Sequence, residues 1–345
     1  MRRLGKRLAI AAAGLACLAA AAAQAPYAPP PVPADNPQTP AKVELGRRLF
    51  YDADLSIDGT MACATCHEQR RGFTDGNTSH PGVHGETARR NVPSLADVGD
   101  LSPLTWADPS LKTLETQFNV PLMGEHPVEM GMAGQAKMLT DRLSAEPCYR
   151  RMFAAAFPGD GTITVARIGQ AIAAFERTLV SHETPYDHDR RGETAALSDA
   201  ARRGESLFFG PRLDCAACHA GPNFTDTAFH DIGLYDLDGA GGYPASDHGL
   251  REVTGRAADE GRFRTPGLRN VALSAPYMHD GSIADLGEAV RAHYRGTNPL
   301  RDPALAGRSV SGAEVADLKA FLGALTDQDF VSDLRFSLPK RACPA

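Results

Sequence analysis

The chain has 345 residues, 36 Lys and Arg against 42 Asp and Glu, and 43 % of it is hydrophobic. That balance excludes intrinsic disorder, a collagen-like repeat and a multi-span membrane protein, and a formal charge of −6 gives no basic footprint for nucleic acid. The length suits two domains of ordinary size. The seven cysteines are too few for a disulfide scaffold and odd in number, so each needs its own account.

Arg2, Arg3, Lys6 and Arg7 precede an uncharged, Ala-rich run from Leu8 to Ala23. A basic start, a short apolar stretch and small residues at Ala21, Ala23 and Ala25 predict a secretory signal peptide over 1–23, cut after Ala23. The run is too short for a stable membrane span, so export is expected, with Cys17 leaving in the cleaved segment. The mature chain then carries 32 Lys and Arg against 42 Asp and Glu, a charge of −10. Residues 24–40 are rich in proline and read as an extended leader rather than core.

Thr39-Pro40 is a helix-start signal ahead of Ala41–Phe50. An internal repeat follows. Its first copy reads Gly46-Arg-Arg-Leu-Phe-Tyr51, Cys63-Ala-Thr-Cys66-His67 and Gly72-Phe73-Thr74-Asp75. The second reads Gly204-Glu-Ser-Leu-Phe-Phe209, Cys215-Ala-Ala-Cys218-His219 and Asn223-Phe224-Thr225-Asp226. The repeat predicts two related domains, 41–190 and 191–335, joined near Asp187–Ser198, with a tail at 336–345. Val165, Ile168, Ile172, Phe175 and Leu179 form one helical stripe. Ser311-Gly-Ala-Glu314 is a capping box before Val315, Leu318, Leu322 and Leu325. The rest is Gly- and Pro-rich loop with few strand signals.

Two cysteines three apart with a histidine directly after is the spacing for covalent attachment of c-type haem. The thiols Cys63 and Cys66, and Cys215 and Cys218, would add to the vinyl groups, with His67 and His219 at the proximal iron positions. A zinc ribbon would bring its second pair within about 15–20 residues, yet Cys66 and Cys215 lie 149 apart. A redox dithiol would need a βαβ context that is absent. What fills the other face of each haem then decides the function. An open position permits peroxide or oxygen chemistry, a second strong ligand makes an electron relay, methionine raises the iron potential and a phenolate lowers it.

Beyond these motifs stand Leu104-Thr-Trp106, Gln117, His126-Pro-Val-Glu129-Met-Gly131, Phe263-Arg-Thr-Pro-Gly-Leu-Arg-Asn270 and Ala275-Pro-Tyr-Met-His-Asp-Gly281. With them the chain resembles the bacterial di-haem cytochrome c peroxidase/MauG superfamily over nearly all of its mature length. It is most similar to the methanobactin-associated, MbnH-like branch. The resemblance implies a mainly α fold of two cytochrome c-type domains, each enclosing one haem, and a periplasmic location. It implies that hydrogen peroxide binds at the first haem, with Glu129 and Gln117 in the distal pocket and Trp106 between the haems. Peroxidases of this superfamily take a methionine for the second haem from the helix after His-Asp-Gly. The segment Leu286–Arg295 contains none and offers Tyr294, the assignment that MauG-like members imply, with His293 as fallback and Met278 just outside. His84 and His80 occupy the loop from which many relatives draw a resting-state ligand. The family's calcium ion would match Asn91 with backbone carbonyls near Arg264 and Pro266.

The activity so implied is peroxide-dependent formation of high-valent iron, followed by oxidation of a tryptophan on a partner, an exported copper-binding protein. The rival readings are a peroxidase fed by a cytochrome c donor and a non-enzymatic di-haem electron carrier. Cys148 and Cys343 remain, and an oxidising compartment allows them to pair.

Overall fold

The two copies of the repeat build two similar helix pairs in the computed structural model, which describes residues 27–193, 196–235, 243–244, 246–295 and 300–340. The signal-peptide reading, Cys17 and Cys343 fall outside the described residues. Helix α1 (Pro40–Phe50) starts where expected: the Thr39 hydroxyl accepts from the amide of Lys42, and Pro40 takes the first helical position. Its buried residues Leu45, Leu49 and Phe50 close the first core together with α2 (Ala136–Ala145), α3 (Pro147–Ala156) and α4 (Val165–Glu176). The stripe Ile168, Ile172, Phe175 and Leu179 is fully buried there.

The second core repeats this plan. Helix α5 (Asp199–Phe209) is capped by Ser198, α6 (Leu286–Ala292) by Asp285, and α7 (Gly312–Gly323) by the capping box of Ser311 and Glu314. Phe208, Leu318, Phe321 and Leu325 meet in its centre.

The repeated glycine explains how tightly each pair crosses. A Cβ on Gly46 would lie 1.8 Å from the carbonyl oxygen of Ala171, and one on Gly204 would lie 2.0 Å from that of Asp317. Backbone touches backbone at both crossings, so α1 packs on α4 as α5 packs on α7. Among the described residues the sheet content is one antiparallel pair, β1 (Phe229–His230) on β2 (Phe263–Arg264). The fold is mainly α, as the repeat and its stripes indicate.

The expected boundary at 335 does not follow the packing. Phe330 and Phe336 are buried in the first core, Tyr51 donates to the carbonyl of Phe336, and Gln69 donates to those of Phe330 and Asp333. The chain therefore returns to its first domain. Cys148, on α3 in that domain, is disulfide-bonded, while the four motif cysteines are free thiols. Its expected partner, Cys343, is among the residues not described.

Candidate active site

Each Cys-x-x-Cys-His ends in an imidazole held by the third element of the repeat. Phe73 and Phe224 adopt positive φ, 63° and 54°, which turns their carbonyls onto Nδ1 of His67 at 2.7 Å and of His219 at 3.0 Å. A non-glycine residue in that region costs about 1–3 kcal/mol. Burial of the two phenyl rings, both fully enclosed, offsets it: each meets the phenylalanine of its repeat helix edge-on, Phe50 at 6.0 Å and Phe208 at 5.8 Å. The following threonine anchors the turn, Thr74 donating to the carbonyl of Val92 and Thr225 to that of Thr265. A carbonyl can only accept, so Nδ1 carries the proton and Nε2 keeps its lone pair. Burial also pushes both imidazoles below their ordinary pKa, His219 to about 4, so they stay neutral as metal ligands must.

Two cavities open beside these rings. The first, of about 360 Å³, is lined by Cys63, Cys66, His67, Trp106, Gln117 and Glu129. The second, of about 200 Å³, is lined by Cys215, Cys218, His219, Trp106, His293 and Tyr294. In each, the two thiols and the imidazole of one Cys-x-x-Cys-His motif border the same cavity. Burial pushes the Cys66 thiol up to about 12 and raises Cys63 and Cys215 as well, so none is poised as a free nucleophile. The donor set fits a covalently attached haem in each cavity.

The residues expected on the distal side of the first site are brought together. Glu129 is largely buried, and desolvation raises its pKa against the opposing charge of His80. The side-chain oxygen of Gln117 is buried without a hydrogen-bond partner, the state of a group whose partner is a ligand. His80 lines the cavity with Nδ1 tied to the carbonyl of Pro81, whereas His84 is exposed and lies outside the cavity lining.

Trp106 borders both cavities and a third of about 90 Å³ between them. Its indole N–H donates to the carbonyl of Asn91 at 2.8 Å, which fixes the ring at the domain junction. Asn91, Arg264 and Pro266, the residues named for calcium, all line that third cavity. The Asn91 amide nitrogen donates to the carbonyl of Asn77.

On the second site both candidates of the segment Leu286–Arg295 line the cavity. Tyr294 lines the cavity, but its hydroxyl donates to the carbonyl of Leu213 at 3.3 Å and lies 3.8 Å from Sγ of Cys215. The ring that stands across from His219 is His293, with centroids 6.3 Å apart. Met278 lines the second cavity and the small central one.

The roles of two side chains escaped the sequence reading. Arg264 lines all three cavities, and its buried guanidinium donates to the carbonyls of Thr105, Leu104 and Thr265. Burial lowers it to about 10, and among the described residues no carboxylate pairs with it. Glu176 ends α4 inside the first cavity, where burial raises its carboxyl to about 8. Its signal was available: an acid one helical turn beyond Ile172, on an otherwise apolar stripe.

Comparison with known proteins shows what the chain is similar to. A family model described as di-haem cytochrome c peroxidase matches residues 40–195. The methylamine utilization protein MauG of Methylophilus methylotrophus is 37 % identical over 300 residues, covering 86 % of this chain and 85 % of the relative. A cytochrome-c peroxidase of Denitromonas iodatirespirans is 35 % identical over 357 residues, covering 93 % and 92 %. The solved structure of a MauG-like protein associated with microbial copper homeostasis superposes with a TM-score of 0.87 at 43 % identity, covering 91 % of this chain and 97 % of that one.

Proposed function

Since the chain belongs to the di-haem cytochrome c peroxidase/MauG family, oxidoreductases that use hydrogen peroxide, we propose that it oxidises a tryptophan on a partner protein, an exported copper-binding protein of the periplasm. The four motif thiols would anchor two haems, and Nε2 of His67 and of His219 would bind the irons. When bound, the haems supply the redox chemistry by which one peroxide takes up two electrons and two protons and leaves as two waters.

The chain's own residues do the rest. Glu129, held above the usual carboxylate range by burial, takes the proton from one peroxide oxygen and returns it to the departing one. Gln117 offers its orphaned amide to the same small ligand. Trp106, against both cavities, is the aromatic path for electrons between them. Arg264, a buried cation lacking a carboxylate partner, is placed to hold haem carboxylates in either cavity. A calcium ion beside Asn91, with the carbonyls of Arg264 and Pro266, would brace the junction under Trp106.

One observation carries this reading. The segment formed by α6 and the turn after it, which borders the second cavity, presents an imidazole and a phenol and no methionine, so it offers no thioether of the kind that raises an iron potential for electrons from a cytochrome c. The peroxidase reading keeps one support, Met278 in the wall of that cavity.

The test incubates the di-haem protein with peroxide and an exported, Trp-bearing copper-binding protein from the same organism, and maps oxidised peptides by mass spectrometry. Oxygen added to a partner tryptophan only when enzyme and peroxide are both present supports the proposal. Rapid oxidation of reduced cytochrome c beside an unmodified partner overturns it.

A further inference from the structure

We propose that Tyr235 is an oxidisable relay beside the second cavity, giving its electron toward Trp106 and the haem pair and its proton to the carboxylate of Asp280. The inference goes one step beyond the proposed function. It rests on that reading only for haem in the cavities and for peroxide as the oxidant, and not on the nature of the partner.

Position comes first. The ring of His279 meets Trp106 edge-on with centroids 6.5 Å apart, and it lies flat on Phe263 at 3.4 Å. Tyr235 meets the same imidazole edge-on at 5.8 Å, and its hydroxyl lies 3.1 Å from Nε2 of His279. Tyr243 stands one ring further along, 5.8 Å from Tyr235. Trp106, His279, Tyr235 and Tyr243 therefore form a continuous row, and all four border the second cavity.

Ring contacts alone would be packing; what each phenol is bonded to distinguishes a relay. A phenol that loses an electron becomes a strong acid, so a relay tyrosine needs a base already in contact with its hydroxyl. Tyr235 donates to Oδ2 of Asp280 at 2.8 Å, and the amide of Ser282 donates to Oδ1 at 3.0 Å, which holds that carboxylate in the turn after His279. Burial raises the Tyr235 phenol above its ordinary range, so it keeps its proton until it is oxidised.

The other tyrosines lack one property or the other. Tyr27 and Tyr149 donate to the carboxylates of Asp100 and Asp52, but neither lines a haem cavity. Tyr294 borders the second cavity, yet its hydroxyl donates to a backbone carbonyl, which cannot take up a proton. Tyr243 shares both properties with Tyr235, donating to Asp231. Its seat is shaped for the ring: a Cβ on Gly261, which has a φ of 63°, would lie 1.9 Å from Cε1 of Tyr243.

The step balances. Tyr235 loses one electron, which reduces the peroxide-oxidised haem pair by one equivalent. Its O–H bond breaks as an O–H bond forms on Asp280. An electron from the protein substrate then refills Tyr235, and Asp280 returns the proton.

The test mixes the full di-haem protein with hydrogen peroxide in the absence of any partner and freezes it for electron paramagnetic resonance, with natural and with ring-deuterated tyrosine. The expected radical signal narrows on ring deuteration and shows, at high field, the lowered gx of a hydrogen-bonded tyrosyl. Tyr235→Phe, which removes one oxygen and keeps the ring, is expected to abolish it, with haem content as the folding control. Absence of a tyrosyl signal in the native protein overturns the proposal, as does a gx without hydrogen bonding or a signal of full size in Tyr235→Phe. If Tyr235→Phe does not load haem, a nitroso spin trap and peptide mapping of the native protein decide. An adduct on Tyr235 supports the proposal and adducts confined to other residues overturn it. No partner is present in these measurements, so they stand or fall apart from partner oxidation.

Discussion

Replacing Gly204 by Ala sets two local effects against each other. Alanine is favoured over glycine inside a helix by about 1 kcal/mol. The new methyl, however, would lie 2.0 Å from the carbonyl oxygen of Asp317, 2.6 Å from its carbon and 2.8 Å from Cβ of Phe321. Ordinary contacts begin at 3.4 Å, so α5 and α7 must separate by more than an ångström along backbone that has nowhere to rotate. Over-packing of this kind costs about 1–3 kcal/mol or more, and here two helix backbones share it, so the upper end applies. The net loss is about 2 kcal/mol, worth about 4–8 °C in Tm for a domain of this size. The separation also moves Phe208 and Phe321 off the His219 cradle. Thermal unfolding of the di-haem protein, followed by far-ultraviolet circular dichroism, measures the result. Gly323→Ala, at the end of α7 with nothing within 4 Å of its Cβ, is the control and should be neutral or up to about 1 kcal/mol stabilising. If Gly204→Ala proves as stable as Gly323→Ala, the backbone crossing is not what the repeated glycine serves.

Glu129→Gln should slow peroxide reaction at the first haem by about 10²–10⁴-fold. It should also remove an acid limb that lies above the ordinary carboxylate range, because the raised carboxyl must ionise to accept the proton; a surviving limb would assign it elsewhere. Trp106→Phe should leave peroxide consumption in place and suppress partner oxidation, and equal loss of both would make Trp106 purely structural. Glu176 has a folded value raised from 4.5 to about 8, so it favours the folded state only while protonated, and stability falls as pH rises through that window. Glu176→Gln should flatten that slope in denaturant titrations between pH 5 and 8, and identical slopes would refute it. Chelation with EGTA should slow partner oxidation and calcium should restore it; indifference to the chelator would remove calcium from Asn91.

How far the sequence could be read depended on how local each feature is. The haem motifs are five consecutive residues, and the helical stripes of α4 and α7 repeat within one element, so both were legible without any tertiary information. The repeat even exposed Phe73 and Phe224, though not their task, because a positive φ on phenylalanine contradicts local preference and is held only by the surrounding core. Trp106, Gln117 and Glu129 reach one cavity from separate segments, and spacing alone could not have joined them; the resemblance did. The return of Phe330 and Phe336 to the first core was hidden for the same reason: no period marks a tail that docks on a distant surface. His293 and Tyr294 are neighbours in the turn after α6 and both border the second cavity, so a motif alignment does not separate them.

The division of labour between the two halves follows from what each adds to a shared cradle. Both place a phenylalanine of the repeat helix against a histidine whose Nδ1 is held by a strained carbonyl, with closely matched ring distances, 6.5 Å for Phe50–His67 and 6.4 Å for Phe208–His219. Up to that point the halves are interchangeable. They diverge in the segment that closes each cavity. The first is closed by chain that contributes an amide and a carboxyl, Gln117 and Glu129, groups able to bind and protonate a small ligand. The second is bordered by the turn after α6, which contributes an imidazole and a phenol, His293 and Tyr294. Under the proposed function, a duplicated cradle thus gives a peroxide site and a second redox site through two different closures, with Trp106 touching both.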